Sequence, residues 1–148
     1  MRPIHHAVLS AAVGGVAWGV TGEPWAVPVA VGAGVLIDAD HLVDQVWLFY
    51  MHRRPEAILA LHGWEWLAAL GIVSAALSFP WWMVAATLGY GSHILSDQMF
   101  NGVHRLAYSM IYRVRHRFRV ERFSDRWRLE RPVDAFINEL RIGRRERR

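Results

Sequence analysis

The chain contains no cysteine and no lysine, so all seventeen of its basic side chains are arginine. Without cysteine the protein forms no disulfide bond, and a metal site in it has no thiolate ligand. The sequence also lacks a glycine-rich phosphate loop, a nucleophile elbow and a dinucleotide-binding fingerprint. The usual sequence signatures of nucleotide-binding proteins and of serine hydrolases are therefore missing.

Apolar residues make up 53% of the chain and fall into four long segments. A helix needs about 20 residues to cross the hydrocarbon core of a bilayer, and each segment approaches that length. Trp25, Trp81 and Trp82 lie where an interfacial aromatic belt would form. We therefore predict an all-α, polytopic membrane helical bundle, with a soluble helical bundle as the alternative. The predicted spans are residues 4–21, 25–50, 57–79 and 81–100.

The arginines predict how the chain crosses the membrane. Arg2, Arg53, Arg54 and the C-terminal tail fall on one side of a four-span bundle, whereas the turns at 21–24 and 79–80 contain no basic residue. The positive-inside rule then places both termini in the cytoplasm of a multi-pass protein of the inner (plasma) membrane.

The charge distribution predicts two parts. Residues 1–104 hold three arginines and seven acidic residues, and residues 105–148 hold fourteen arginines and six acidic residues. We expect a transmembrane metal-site domain over 1–104 and a cytoplasmic juxtamembrane tail over 105–148. A tail with this excess of positive charge favours contact with anionic lipid headgroups. Nucleic acid is the less favoured partner because the tail has no recognisable reading motif.

Ionisable residues occur in all four segments at a similar predicted depth. Counted at about 1.5 Å per residue from the outer ends, they lie about 20–26 Å into the bilayer, near its cytoplasmic boundary. Ionisable groups inside a membrane are expensive and usually mark a functional site. The residues are His6 in the first segment, Asp38, Asp40 and His41 in the second, His62 in the third, and His93 and Asp97 in the fourth.

Spacing within the segments favours a metal centre. His93 and Asp97 are four residues apart and Asp38 and His41 are three apart, so each pair shares one face of a helix. Imidazole and carboxylate together suit zinc, iron or manganese, and the number of groups allows one or two ions. The predicted metal ligands are His6, Asp38, His41, His62, His93 and Asp97.

Two acidic residues are candidates for proton transfer. Asp40 adjoins the predicted ligands, although one aspartate in such a set commonly caps a helix or orients a histidine. Glu65 follows His62 by three residues, and it fits three roles equally: a ligand, a general base, or a partner for Arg53 or Arg54.

Other polar and small residues have simpler interpretations. The serines at 10, 92 and 96 are expected to form packing and hydrogen-bond contacts. Glycines at 14, 15, 19, 32 and 34 indicate close helix packing. The remaining histidines, His5, His52, His104 and His116, are expected at the surface or in hydrogen bonds.

Three stretches of the chain resemble the YdjM-like family of inner-membrane metal-dependent hydrolases. They are His6 with the following Ala-Val-Leu-Ser10, Leu36-Ile-Asp38-Ala-Asp40-His41, and Gly89-Tyr90-Gly-Ser92-His93-Ile-Leu-Ser-Asp97 followed by Asn101-Gly102-Val103. That family is distantly similar to the zinc-dependent phospholipase C and nuclease group. The resemblance implies hydrolysis of a phosphoester or another ester. It covers residues 6–103 and leaves out the tail.

The third segment departs from the family pattern. The family has a His-Arg-Gly-x-Thr-His-Ser element there, and this chain has Leu61-His62-Gly63-Trp64-Glu65. His62 matches the last histidine of the element, but the arginine and threonine that would hold a substrate anion are missing. The substrate therefore does not follow from the resemblance.

In the tail, residues 113–120 alternate arginine with other residues, which predicts a strand or an extended chain. Residues 132–142 predict a short amphipathic helix at the membrane surface.

Three functions fit these features. The favoured one is metal-assisted hydrolysis of a membrane-located ester, with Glu65 or Asp40 handling the proton. The second is a non-enzymatic metal-binding or structural membrane protein, and the third is a hydrogen-bonded network or proton path without metal.

Overall fold

The computed structural model describes residues 3–46, 56 and 58–122, and this part of the chain is mainly helical. It contains no β-strand, only an isolated bridge between Glu56 and Arg119. The predicted all-α class is confirmed for these residues. The helices are α1 (Pro3–Thr21), α2 (Ala26–Leu36), α3 (Ala39–Val46), α4 (Trp64–Ala76), α5 (Trp81–Phe100) and α6 (Met110–Arg115), followed by a short 3₁₀ helix, Val120–Arg122.

The first and fourth predicted segments each form one continuous helix. Helix α1 covers the segment 4–21, and α5 covers 81–100 without a break. Proline supports both starts: Pro3 is the first residue of α1, and Pro80 precedes α5 with an extended backbone. The turn before α5 contains Ser78 and Phe79 with positive φ, which ends the preceding helix.

The second and third segments are not single helices, so that part of the prediction is wrong. The second is divided at Ile37–Asp38, where the Asp38 and His41 amides bond to carbonyls three residues back and tighten the backbone into a turn. Residues 47–50 lie outside the described part. In the third, helix α4 begins only at Trp64 because Gly63 before it is extended (φ −146°, ψ 132°). His62 therefore lies in a loop.

Glycines bring α1, α2 and α5 into close contact. A Cβ added to Gly34 would meet the Ser10 hydroxyl at 1.9 Å, and one added to Gly89 would meet the Ala30 carbonyl oxygen at 2.1 Å. Gly14 likewise lies against the backbone of α2 at Val27. The packing role is thus confirmed at 14 and 34. It is wrong at 15, 19 and 32, where no neighbouring atom lies within 4 Å of the added Cβ.

Polar residues lie inside this bundle and large apolar residues lie outside. The buried side chains include His6, Ser10, His93 and Asp97. The exposed ones on the three longest helices are Ile4, Val8, Leu9, Val16, Trp18, Val20, Trp66, Ile72, Val73, Trp82, Leu88, Leu95, Met99 and Phe100. A water-soluble monomer rarely exposes so much contiguous apolar surface.

One helix of the described residues, Ile4–Thr21, is long and apolar enough to cross a membrane by length and composition. Helix α4 is apolar but has only 13 residues. Four regular spans are therefore not supported by helix length and hydropathy.

The beginning of the tail differs from its sequence prediction. Residues 110–115 form α6 instead of an extended chain, and the Ser109 hydroxyl caps this helix by accepting a hydrogen bond from the Tyr112 amide (3.3 Å). The alternation in 113–120 is therefore wrong as a strand signal. The predicted helix at 132–142 lies outside the described residues.

Candidate metal centre

The six predicted metal ligands lie together at one end of the bundle. They form three overlapping groups, and within each group the possible ligand atoms lie within 4.8 Å of one another. The groups are His6, Asp38 and His93; Asp38, His41 and His62; and His62, His93 and Asp97. The four chain segments therefore converge, although His62 comes from a loop and Asp38 from the turn between α2 and α3.

The contacts within this cluster mainly join the Nε2 atoms of histidines to the two carboxylates. Asp97 lies 3.1 Å from Nε2 of His6 and 3.4 Å from Nε2 of His93. The two Nε2 atoms of His62 and His93 are 3.0 Å apart, and the rings of His6 and His93 stack with centroids 3.9 Å apart. Asp38 Oδ1 lies 3.6 Å from His93 Nε2 and 3.8 Å from His41 Nε2.

Each buried histidine uses its other nitrogen to bind outside the cluster. Nδ1 of His93 lies 2.6 Å from the Gly34 carbonyl oxygen, which only accepts, so this nitrogen carries the proton. Nδ1 of His62 lies 3.0 Å from the Asp40 carboxylate and donates in the same way. When Nδ1 alone is protonated, Nε2 of each ring presents a lone pair to the cluster.

The same reasoning holds for His6. Its Nδ1 lies 3.3 Å from the Ser96 hydroxyl, and that hydroxyl donates its own proton to the His93 carbonyl oxygen at 2.9 Å. Ser96 can therefore only accept from His6, and Nε2 of His6 presents a lone pair to Asp97.

In these tautomers the Nε2 lone pairs of His6, His62 and His93 converge with the oxygens of Asp38 and Asp97. The Tyr108 hydroxyl donates to Asp97 from the edge of this cluster (3.4 Å). Acceptors that face each other at about 3 Å need a positive charge between them, either a metal ion or a proton added to a ring.

The donor set fits a divalent metal. Ligands bonded at 2.0–2.2 Å to one ion lie about 2.8–3.6 Å apart, whether tetrahedral or octahedral. The separations of 3.0, 3.1 and 3.4 Å among His6, His62, His93 and Asp97 fall in this interval, and that from His62 Nε2 to Asp97 is 3.7 Å. Asp38 Oδ1 lies 3.6–3.8 Å from three of the histidines and belongs to two of the three groups of possible ligands.

The cluster has an open side. His6, His62, His93 and Asp97 are at most 2% exposed, whereas the Asp38 side chain is 24% exposed and that of His41 is 39% exposed. These two residues form the more exposed side of the cluster.

Asp40 lies behind His62 and not on the open side. Its carboxylate accepts from His62 Nδ1 and from the Leu61 amide (2.8 Å), and the residue is 6% exposed. This is the carboxylate–histidine arrangement that orients metal ligands. The predicted proton-transfer role does not fit this position, because His62 lies between Asp40 and the centre of the cluster.

Glu65 is also not part of the cluster. Its two carboxylate oxygens accept from the Ser109 hydroxyl (2.6 Å) and from the amides of Met110 (2.9 Å) and Ile111 (3.1 Å). These are unsatisfied donors at the start of α6, so Glu65 caps that helix from a distance in sequence. The predicted roles of ligand and general base do not match these contacts, and Arg53 and Arg54, the partners in the third role, lie outside the described residues.

Two residues after position 104 lie at the site or behind it, and no pattern in the sequence pointed to them. The Tyr108 hydroxyl donates to Asp97 (3.4 Å) and accepts from Asn101 (3.0 Å). Burial, followed by the charge of Asp97, raises the pKa of Tyr108, so the phenol keeps its proton. Arg113 is fully buried and donates to backbone carbonyls of residues 58, 59 and 62.

The remaining predictions are placed as follows. Ser10 and Ser92 lie 3.3 Å apart, which confirms a hydrogen-bond contact between helices. His5 and His104 are exposed, and His116 packs against Tyr112. His52 lies outside the described residues.

No family model, curated protein or solved structure matches this chain.

Proposed function

We propose that the protein is a membrane-embedded, metal-dependent hydrolase that acts on a phosphoester or another ester at the cytoplasmic rim of the inner membrane. Its cofactor is one or two divalent ions, with zinc as the first choice and iron or manganese as alternatives. The ligands are His6, Asp38, His41, His62, His93 and Asp97.

One observation supports the metal in this proposal: possible ligand atoms of three buried histidines and two aspartates converge in overlapping groups, each within 4.8 Å. A proton on one imidazole would relieve only one of these contacts. A divalent cation relieves several at once, because imidazole and carboxylate both bond to it directly.

The reaction class is supported by the open side and by the resemblance to the YdjM-like family. A bound divalent metal supplies Lewis acidity and makes a water nucleophilic near neutral pH. Asp38 and His41, the two more exposed ligands, line the side from which a substrate would approach. Asp40 fixes the ring of His62 through Nδ1, and Ser96 and Gly34 fix the other two buried rings.

The membrane location is supported by the distribution of polar and apolar side chains, which is the reverse of that in a water-soluble protein. Apolar side chains such as Val16 (63% exposed) and Ile72 (70% exposed) point out of the bundle, while its interior holds the ionisable groups. The exposed tryptophans Trp18, Trp25 and Trp82 lie at the helix ends opposite the cluster, as an aromatic belt would. We propose a multi-pass arrangement in which the short helices α2 and α4 are packed beside α1 and α5.

The arginine-rich residues after position 104 also support a membrane location. Arg115, Arg117, Arg119 and Arg122 are exposed and follow the cluster end of the bundle. Each arginine near an anionic headgroup contributes about 1 kcal/mol to attraction. We propose that this tail binds anionic lipid, which also places the open side of the cluster near lipid headgroups.

The test combines metal content with hydrolysis. The wild-type protein, the His93→Ala/Asp97→Ala double variant and the control His104→Ala are purified in detergent. Zinc, iron and manganese are measured by mass spectrometry, and hydrolysis is measured on bis(p-nitrophenyl) phosphate and on a fluorescent phospholipid in mixed micelles.

The proposal predicts one or two ions in wild type and in the control, none in the double variant, and hydrolysis only where metal is bound. Metal without hydrolysis of either probe would indicate a non-enzymatic metal-binding protein. No metal in any of the three would leave a hydrogen-bonded network or a proton path.

A further inference from the structure

We propose that Arg113 is a positioning residue for the metal centre, because its side chain binds the backbone of the loop that carries His62. This inference rests on the proposed metal site and adds a residue from the basic tail to it. Arg113 does not touch the cluster itself, and it acts through the backbone of residues 58–62.

The contacts of Arg113 are made with backbone oxygens. Its Nη1 donates to the carbonyls of Ile58 and Leu59, both at 2.7 Å, and its Nη2 donates to the carbonyl of His62. The side chain is 0% exposed. A fully buried arginine is rare, and burial lowers the pKa of its guanidinium while the nearby carboxylates of Asp40, Glu65 and Asp44 raise it.

Side chains from other elements bind most of the backbone of this loop, which has a turn bond of its own from the His62 amide to the Leu59 carbonyl (2.9 Å). Its amides at Leu59 and Leu61 donate to the carboxylates of Asp44 (2.7 Å) and Asp40 (2.8 Å). The Tyr90 hydroxyl accepts from the Gly63 amide (3.1 Å) and donates to the Leu61 carbonyl (2.6 Å). The carbonyls of Ile58, Leu59 and His62 accept hydrogen bonds from Arg113.

The loop is also strained at one position. Leu59 has φ of 44° without being glycine, a conformation that is unfavourable for a residue with a side chain and persists only when its surroundings hold it. Asp44 holds its amide and Arg113 holds its carbonyl oxygen. The guanidinium suits this task because its planar fork presents donors in fixed directions, which an ammonium group does not.

Arg113 differs from the arginines around it. Arg115, Arg117 and Arg119 are exposed, as expected of residues that meet solvent or lipid headgroups. Arg113 instead points from α6 into the interior, where α6 is held by the carboxylate of Glu65. The direction of this one side chain links the basic tail to the backbone of a metal ligand.

The experiment measures metal affinity and coordination in the full-length protein. Zinc affinity is obtained by competition with a chelator, and the visible spectrum of the cobalt-substituted protein reports ligand geometry. The variants are Arg113→Met and Arg113→Lys, and the matched control is Arg115→Met. Circular dichroism verifies that each variant is folded.

We expect Arg113→Met to weaken zinc binding by about 10–100-fold, the range seen when partners of metal ligands are removed. Its cobalt spectrum should change, because His62 Nε2 shifts, and Arg113→Lys should fall between it and wild type. A merely structural role would lower thermal stability and leave the spectrum of the folded protein unchanged. Affinity and spectrum equal to those of Arg115→Met would overturn the inference.

A measurement on wild type covers the case in which both Arg113 variants fail to fold. Hydrogen exchange is followed with and without zinc in peptides covering 58–63 and 109–114. Slower exchange in both peptides supports the link, and protection of 58–63 alone contradicts it. If wild type binds no zinc, both the proposed function and the positioning role of Arg113 are contradicted. If zinc binds equally well in the Arg113 variants, only the positioning role is contradicted.

Discussion

The Nε2 atoms of His62 and His93 face each other at 3.0 Å, and the Nδ1 atom of each ring contacts an acceptor outside the cluster. The carbonyl of Gly34 orients the ring of His93, and the carboxylate of Asp40 orients that of His62. Helix α5 and the loop before α4 thus aim both Nε2 atoms at the same point, where two lone pairs would repel each other unless a cation is present. This preorganisation is what a metal site requires from its surroundings.

His6 and His5 form a matched pair for testing the centre. His6 is 1% exposed with Nε2 3.1 Å from Asp97, whereas its neighbour His5 is exposed. We expect His6→Ala to lower zinc affinity by more than about 100-fold, beyond the range for indirect partners, and His5→Ala to leave it unchanged. Competition titration of the detergent-purified proteins measures both. Equal affinities would remove His6 from the ligand set.

Asp40 should affect the metal through His62. We expect Asp40→Asn to weaken zinc binding by about 10–100-fold while full stoichiometry returns at high zinc, because all ligands remain. The control is Glu23→Gln in the connection between α1 and α2, at the opposite end of the bundle. A stoichiometry that never recovers in Asp40→Asn would mean that Asp40 is itself a ligand.

Gly89 tests the packing that brings α2 and α5 together. Gly89→Ala places a Cβ 2.1 Å from the Ala30 carbonyl oxygen, so the helices must move apart, at a cost of about 1–3 kcal/mol. Gly71→Ala is the control, because nothing lies within 4 Å of its Cβ and alanine favours a helix. Thermal unfolding in detergent should show a lower midpoint for the first variant only. Equal midpoints would contradict the close packing.

The absence of cysteine allows a clean test of the membrane arrangement, since an introduced cysteine has no background. With a membrane-impermeant maleimide on spheroplasts, Glu23→Cys should react at once, and Arg115→Cys only after permeabilisation. Val16→Cys should stay unlabelled in both cases although Val16 is 63% exposed, because lipid covers it. Labelling of Val16→Cys at the rate of Glu23→Cys would place α1 in water.

The sequence predicted a structural feature correctly where the whole feature lies within one helix. Apolar runs bounded by proline predicted α1 and α5, and the spacing of His93 and Asp97 placed both on the buried face of α5. The ligand types were likewise readable, because ionisable groups in apolar segments are costly and few. These are local properties, which a linear pattern records.

Breaks in the second and third segments were not readable, because their hydrogen bonds come from elsewhere in the chain. The loop before α4 exists because Asp44, Tyr90 and Arg113 satisfy its backbone, and these residues are distant in sequence. Glu65 was assigned to the centre by its three-residue spacing from His62, but that spacing implies a shared face only inside a helix. With His62 in the loop, Glu65 faces α6 instead.

The sequence by itself determined which residues form the cluster: the six histidines and aspartates that an apolar chain retains at one end of its segments. Only the tertiary structure decided their roles, because the role of an imidazole depends on which nitrogen carries the proton, and that is set by the partner of the other nitrogen. Gly34, Asp40 and Ser96 are these partners, and packing of α1, α2 and α5 brings two of them to histidines on other elements. The residue types therefore determined which chemistry the site can perform. Contacts between residues distant in sequence determined which nitrogen of each histidine faces the cluster.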